Sequence, residues 1–272
     1  MSWAGGSFGE VARCVLAPNA GPMTLDGTNT WILSDPDTGR SLVIDPGPPD
    51  EQHLAAVAEA AGDVQAVLLT HHHLDHSEAA RGFAERVGCG VRALDPAYRL
   101  GDEGLGEGDV VAVGSGGVEV HVIATPGHTS DSLSFVLPAQ RAVLTGDTVL
   151  GRGTTVVAHP DGKLGAYLDS LDRLHALAEV HEVDQVWPGH GPVIDDALAA
   201  LDHYIAHRHE RLEQVEAAVA QLRAGGLADA VTLPRQVVEI VYADVDPVLW
   251  GAAELSVRAQ LDYLREVSGR DG

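Results

Sequence analysis

Apolar residues in the first two thirds of this chain fall in short runs of strand length, and in the last third they recur at helical spacing. Residues 11–16 read as a first strand. After the loop Pro18-Asn19-Ala20-Gly21-Pro22, a second strand begins at Trp31-Ile32-Leu33. Asp35-Pro36-Asp37-Thr38-Gly39 supplies turn residues, and residues 41–45 return as a strand that Pro46-Gly47-Pro48-Pro49 breaks. A helix with Asp50 as N-cap runs to Ala61 and stops at Gly62. Residues 64–69 have the length and branching of a buried strand, and 78–87 fit an amphipathic helix stopped by Gly88. Further strands are predicted at 110–113, 118–124, 133–137 and 142–144, with the glycine- and acid-rich stretch 101–117 read as turns between short strands. Leu164, Leu168, Leu171, Leu174 and Leu177 mark a helix over 164–180, and 183–187 give a last short strand. Two strand-rich portions, each closed by a helix, predict a β-sandwich covered by helices on both outer faces, an α+β fold.

From Asp195 the pattern changes. Residues 195–223 form one long helical stretch, broken by Gly225-Gly226. The remainder is helical in character, with Asp246-Pro247 as N-cap and first-turn proline of the last helix. The expected organisation is a main domain, residues 1–224, and a small helical C-terminal region, 225–272, near the lower size limit for a self-sufficient core.

Composition narrows the setting. An apolar fraction of 45% is ordinary for a globular protein, and no apolar run approaches the ~18 residues needed to span a membrane. The N-terminal residues lack a basic stretch followed by an apolar one, so a cytoplasmic location is expected, with Cys14 and Cys89 as free thiols. The formal charge is −23 and Lys163 is the only lysine, a surface that argues against tight, non-specific nucleic-acid binding. A short anionic substrate drawn to a locally positive metal centre remains compatible with it.

The chemistry concentrates in Thr70-His71-His72-His73-Leu74-Asp75-His76, where a strand hands over to a helix. Period 2 lets His71 and His73 point the same way, while the turn re-aims Asp75 and His76. Two imidazoles at one point, and an imidazole with a carboxylate at another, suit two borderline divalent ions such as zinc. Pro-Gly-His occurs twice after an apolar run, at 126–128 and 188–190, leaving His128 and His190 at strand exits. Asp147 follows another strand in Thr145-Gly146-Asp147. Each alone reads as a turn residue; four strand ends carrying histidine or aspartate do not.

His71-x-His73-x-Asp75-His76, His128, Asp147 and His190 closely resemble the metallo-β-lactamase superfamily signature, over roughly residues 11–195. The resemblance implies an αββα sandwich with the site at one edge. It also implies His71, His73 and His128 on one metal, Asp75, His76 and His190 on the other, and Asp147 bridging. Two Zn2+ are the expected cofactors, with manganese or iron as alternatives. Bound zinc lowers the pKa of water from ~15.7 toward ~7, so a bridging hydroxide can attack a carbonyl or phosphorus. Asp75 and Asp147 are the expected catalytic carboxylates.

Residues 19–30, 126–132, 145–151 and 204–213 further resemble the β-lactamase-like protein 2 group, which ends in a winged-helix-like region similar to 226–272 here. The end at Gly272 leaves little room for a complete wing. The group includes an endoribonuclease acting on single-stranded RNA and fungal thioesterases that release polyketides from carrier proteins. True lactamases usually place a cysteine where this chain has Asp147, and no basic C-terminal cluster of the glyoxalase II kind is visible. The leading expectation is therefore an endoribonuclease-like phosphodiesterase on short single-stranded RNA. The rival is a thioesterase on a small-molecule ester or thioester, and a third class is a non-catalytic metal-binding interaction protein. A homodimer is among the assemblies left open.

Arg152, Thr154 and Thr155 follow Asp147 in a glycine-rich loop expected to approach the substrate. His207 and Arg208, with Arg211 one turn on, are weighed as an anion-binding group against ion pairing with Glu210 and Glu213, the latter favoured. Trp187 and Trp250 are expected in the core.

Overall fold

The computed structural model describes residues 2–226 and 233–270; residues 227–232 and 271–272 of the expected C-terminal region lie outside the described residues. One sheet has the order β1-β2-β3-β4-β5-β6, formed by Gly6–Phe8 (β1), Ala12–Leu16 (β2), Asn29–Ser34 (β3), Arg40–Ile44 (β4), Asp63–Leu68 (β5) and Gly90–Arg92 (β6). The other has the order β11-β10-β9-β8-β7, from Val110–Val113 (β7), Val118–Ala124 (β8), Leu133–Leu137 (β9), Ala142–Gly146 (β10) and Gln185–Pro188 (β11). Strands pair antiparallel except β4–β5, β5–β6 and β10–β11, each parallel pair being joined through a helical connection.

Alternation along the strands builds three layers of core from single runs of sequence. In β3, Trp31 and Leu33 face the space between the sheets, while Ile32 faces outward. In β4, Leu42 and Ile44 face inward and Val43 outward. The outward set is covered by helices Glu51–Ala61 (α1) and Ala80–Val87 (α3) through Leu54, Val57 and Phe83. On the other sheet, Phe135, Leu144 and Trp187 point inward, and Val136, Val143 and Val186 point outward beneath Leu164–Val180 (α4) and Ala197–Ala224 (α5). This is the expected αββα sandwich, with both faces of most strands buried.

Among the contacts that join the sheets, two groups lie toward opposite ends of β3. At its start, Asn29 gives its side-chain amide to the carbonyls of Pro188 (2.9 Å) and Gly191 (2.8 Å) and its backbone N–H to Gly189 (2.8 Å). Trp31 stacks on Trp187 at 5.0 Å and donates Nε1–H to Pro188. At its far end, buried Asp35 accepts from the backbone N–H (2.7 Å) and hydroxyl (2.9 Å) of Ser115, in the turn between β7 and β8.

Several expected boundaries move. The three-residue β1 and β6 were not anticipated; they are sheet edges made by pairing with a neighbour and are too short to carry alternation. The first strand starts at Ala12, the second at Asn29, and the last covers Gln185–Pro188. The strand expected over 64–69 ends at Leu68, because the Thr70 N–H turns to the Asp45 carboxylate instead of a ladder partner. The helix expected from Glu78 begins at Ala80, after a separate single turn, Leu74–Ser77 (α2).

Asp50 and Gly62 cap α1 as expected, and Asp196 caps α5 through the Ala199 N–H. Beyond α5, Leu233–Val241 (α6) and Trp250–Arg270 (α7) follow, the latter led by a short turn with Asp246 capping the Val248 N–H. The first half of α5 packs on the sandwich through Leu201 and Tyr204, and its second half packs on α6 and α7 through Val215, Val219 and Leu222. Trp187 lies in the core, whereas Trp250 is half-buried against the helical cluster. Both cysteines are free. No described helix is long and apolar enough to cross a membrane.

The Ser115 backbone N–H, which burial opposes, leads the hydrogen bonds that hold the Asp35 carboxyl at about 2, below the usual carboxylate range. A depressed folded-state pKa contributes stability above pH ~4 and loses it as pH falls toward 2. Asp35→Asn is therefore expected to lower the urea midpoint at pH 7, and the gap from wild type narrows as pH drops from 5 toward 3. Urea titrations of both proteins across that range check it.

Candidate metal centre

Seven donor side chains meet where the ends of β5, β8, β10 and β11 open onto one edge of the sandwich. His71 and His73 come from the irregular segment after β5, and Asp75 and His76 from α2. His128, Asp147 and His190 come from the loops after β8, β10 and β11. Their ligand atoms converge in overlapping groups, each within 4.8 Å: His71, His73 and His128; His71, His76 and Asp147; Asp75, His76 and His190. His71 and His73 share this site although no strand runs through them, so the segment's turn, rather than the pleat, aims them.

Glycine makes the convergence possible at two points. A Cβ on Gly189 would lie 2.5 Å from Asp147 Oδ1 and 2.8 Å from the His76 ring. Gly127, at φ 145°, passes so close to α4 that a Cβ would fall 2.3 Å from Tyr167 Cα.

The far nitrogens of the rings are tied outward. His76 Nδ1–H donates to Asp45 Oδ2 at 2.8 Å, His128 Nδ1–H to the Val156 carbonyl at 2.6 Å, and His190 Nδ1–H to the Gly27 carbonyl at 3.2 Å. His71 Nδ1 lies 3.0 Å from Thr70 Oγ1, whose own hydrogen goes to Asp45 Oδ2. With these protons committed, the inner nitrogens present lone pairs to one another: His73 Nδ1 lies 3.1 Å from His71 Nε2 and 3.0 Å from His128 Nε2. Asp147 Oδ1 is buried with no hydrogen-bond partner. Lone pairs facing each other and an orphaned carboxylate oxygen are what a cation between them relieves, so the residues fit divalent metal ions.

Electrostatics divides the cluster in two. Burial, then His76 and neighbouring imidazoles, holds His71 well below its usual pKa; burial and His128 push His73 down to about 4. His128 also falls, through burial. For His190 burial acts downward but Asp147 outweighs it, raising the ring to about 9; His76 rises likewise on Asp147, Asp75 and Asp45. Burial would raise Asp147 and Asp75, and the facing histidines override it and hold both low. One half is thus a neutral imidazole trio, and the other a pair of ionised carboxylates with histidines that hold protons unless another cation takes their place.

His72 turns away from the cluster and pairs with Asp131 at 2.7 Å. Asp45, not singled out in the sequence, is the organising residue behind the site: buried at φ 51°, it takes hydrogen bonds from Thr70 N, Thr70 Oγ1 and His76. Its signal was a carboxylate directly before Pro46-Gly47 at a strand's end, the same kind of position that marks Asp147.

Arg152, Thr154, Thr155, His207 and Arg208 all line a cavity of about 250 Å³ that reaches His128 and Asp147. Its walls are mainly apolar, with Leu25, Leu150, Val245 and Leu249 among them, and α7 with the segment that precedes it closes one side. Arg152 pairs with Asp26 at the rim. The expected pairing of the α5 cations with Glu210 and Glu213 is not made. Arg208 is buried, lies over the Tyr167 ring at 4.8 Å and donates to the Thr155 carbonyl at 2.6 Å. Arg211 lies over Tyr242 at 4.5 Å and donates to the Val241 carbonyl. The reason is position: both arginines stand on the face of α5 that meets the cavity.

Asp45→Ala strands the Thr70 N–H and the His76 Nδ1–H in a buried site. The expected result is a metal affinity lower by about 10–100-fold, measured as metal content after dialysis against graded chelator, with circular dichroism unchanged.

Comparison with known proteins agrees with this geometry. The profile of the Metallo-beta-lactamase superfamily matches residues 23–190, and that of the Beta-lactamase associated winged helix domain matches residues 234–266. The chain is similar to the Beta-lactamase-like protein 2 homolog of Caenorhabditis elegans, at 34% identity over 74% of this chain and 68% of the relative. It is also similar to an Atrochrysone carboxyl ACP thioesterase of Aspergillus fumigatus, at 33% identity over 93% of this chain and 78% of the relative. A Beta-lactamase domain protein from Burkholderia ambifaria has the same fold, with a TM-score of 0.79 at 21% identity over 98% of this chain and 90% of that one. With the αββα sandwich, the donor cluster at its edge and the match over residues 23–190, the chain belongs to the metallo-beta-lactamase superfamily of hydrolases.

Proposed function

We propose that this protein is a dinuclear metal-dependent thioesterase. In this reading His71, His73 and His128 hold one ion, Asp75, His76 and His190 the other, and Asp147 reaches both, since its oxygens lie 3.4–3.7 Å from His76, His128 and His190. Zinc suits the nitrogen-rich donor set, and manganese or iron accepts the same residues. When bound, such ions supply a nucleophile at neutral pH and polarise the substrate carbonyl.

The protein's own groups do the rest. Asp75, the more accessible of the two carboxylates, orients the attacking water and accepts its proton. Asp147 stays ionised and fixes the inner geometry. Water adds its oxygen to the acyl carbon, the C–S bond breaks, and the thiol leaves with a proton, yielding acid and thiol. Residues 1–224 form the catalytic body in this reading, and Tyr242 to Ser256 of the C-terminal region roof the substrate cavity.

The observation that carries the thioester reading is the cavity beside His128 and Asp147: small, mainly apolar and roofed by the C-terminal segment. An acyl group fits such walls. A single RNA strand calls for an open basic groove with aromatic platforms, which a chain of charge −23 is poorly suited to provide. The endoribonuclease reading keeps one supporting feature, the arginines at 152, 208 and 211 on the cavity wall. A purely metal-binding interaction protein would need neither the cavity nor an accessible Asp75.

The metal-loaded protein, offered an acyl thioester and a single-stranded RNA oligonucleotide side by side, is expected to turn over the thioester. Asp75→Ala is expected to lower that rate by about 10²–10⁴-fold. RNA cleavage lost in the same variant, with no thioester turnover, would establish the endoribonuclease reading instead; no turnover of either would favour the binding protein.

A further inference from the structure

Arg208 and Arg211 are three positions apart on α5 and line the same cavity. Neither has a carboxylate partner among the described residues: each spends its hydrogen bonds on a backbone carbonyl and lays its guanidinium on an aromatic ring. Arg208 is 3% exposed, and its buried Nε–H has no acceptor among the described residues. Acids are plentiful around them: the chain has 40 acidic residues for 17 basic ones, and several other arginines pair with one. Arg141 pairs with Asp184 and Glu182, Arg173 with Glu107, and Arg152, which also lines this cavity, with Asp26, while Arg81 and Arg99 likewise bond backbone carbonyls.

Two guanidinium charges facing one mainly apolar cavity, with no carboxylate partner among the described residues, are held at a cost that an anion would relieve. The positive field acts on its neighbour. Burial, then Arg208 and Arg211, pushes His207 down to about 4, so that ring is neutral and its unpartnered Nδ1 is a third polar atom in the wall. Leu25, Leu150, Val245 and Leu249 line the same cavity, as do His128 and Asp147 of the donor cluster. One cavity therefore presents donor residues, apolar walls and two arginines.

We infer that the cavity is built for acyl groups that end in a carboxylate, which Arg208 and Arg211 receive while the thioester carbonyl lies at the His128–Asp147 end. This rests on the thioesterase reading and adds the substrate class: monothioesters of short dicarboxylic acids. A volume of about 250 Å³ lies below the usual range for drug-sized ligands and suits a short chain.

The test uses metal-loaded protein and two N-acetylcysteamine thioesters, adipoyl and 5-methylhexanoyl, whose ends match in shape and differ in charge. Because the leaving group is uncharged, any preference belongs to the acyl end. The expected kcat/KM favours adipoyl by about tenfold or more, as a charge-assisted hydrogen bond supplies. In Arg211→Met the adipoyl reaction loses at least about fivefold more than the 5-methylhexanoyl one, chiefly through KM, and Arg211→Lys restores part of the preference. Equal rates for the two thioesters, or equal losses in the variant, overturn the inference and leave the thioesterase reading standing. A preference seen only between coenzyme A and N-acetylcysteamine thioesters of the same uncharged acid overturns it too, since the arginines would then hold a leaving-group phosphate. If no thioester is hydrolysed, the thioesterase reading fails, and calorimetry with adipate decides the subsite separately. Binding at least about fivefold weaker in Arg211→Met than in wild type upholds the carboxylate site, and equal binding removes it.

Discussion

Five imidazoles and two carboxylates crowd onto one buried edge, and the attraction of Asp75 and Asp147 for His76 and His190 holds only part of the cluster there. The inner nitrogens of His71, His73 and His128 face one another with lone pairs, and Asp147 Oδ1 has no partner. What keeps them together is the scaffold behind them. Asp45 locks Thr70 and His76, Val156 and Gly27 hold the far nitrogens of His128 and His190, and Asn29 clamps the 188–191 turn to the opposite sheet. The interior of the sandwich, with Trp31 stacked on Trp187 directly behind that turn, supplies the packing that makes the clamp rigid. Rigid donors aimed at a common point are the property a metal site requires, and it is bought with ordinary hydrophobic burial elsewhere in the fold.

The same helix that completes the outer layer also shapes the substrate cavity. Tyr204 of α5 lies in the core against α4, and its hydroxyl accepts from the Leu150 N–H, fixing the loop that follows β10 and carries Asp147. One turn further on, Arg208 holds the Thr155 carbonyl, next to the Val156 carbonyl that orients His128. Farther along, α5 becomes the seat of α6 and α7. Covalent continuity through a single helix thus links the metal edge, the loop behind it and the roof of the cavity. The positive region of that cavity is local and sits inside a strongly acidic molecule, where the low dielectric lets it act at short range while the surface charge governs long-range approach.

Much of this was legible in the residues alone because it is local. Period-2 runs with both faces apolar announce strands covered on both sides, and Asp50 and Gly62 carry cap chemistry that needs no tertiary partner. The donor residues were visible because chain order places them at strand ends, where side chains of different strands meet. The three-residue edge strands β1 and β6 were not legible, since pairing with a neighbour, rather than their own pattern, makes them strands. Asp45 looked like a strand-ending turn residue until the fold set it against Thr70 and His76. The α5 arginines looked like partners of Glu210 and Glu213; only the packing of α5 decided that they face the cavity instead.

The amino-acid sequence by itself determined the sandwich and the catalogue of donor residues, because these depend on spacing, polarity and residue type, and the family followed from the resemblance those residues carry. Tertiary structure alone decided which ring nitrogens face inward, which carboxylate stands behind them and which cations have no carboxylate partner among the described residues of the cavity. Those properties arise between segments far apart in the chain, such as Asn29 with Gly191 and Arg208 with Thr155, and no local pattern encodes a contact whose partners meet only after the two sheets close on each other.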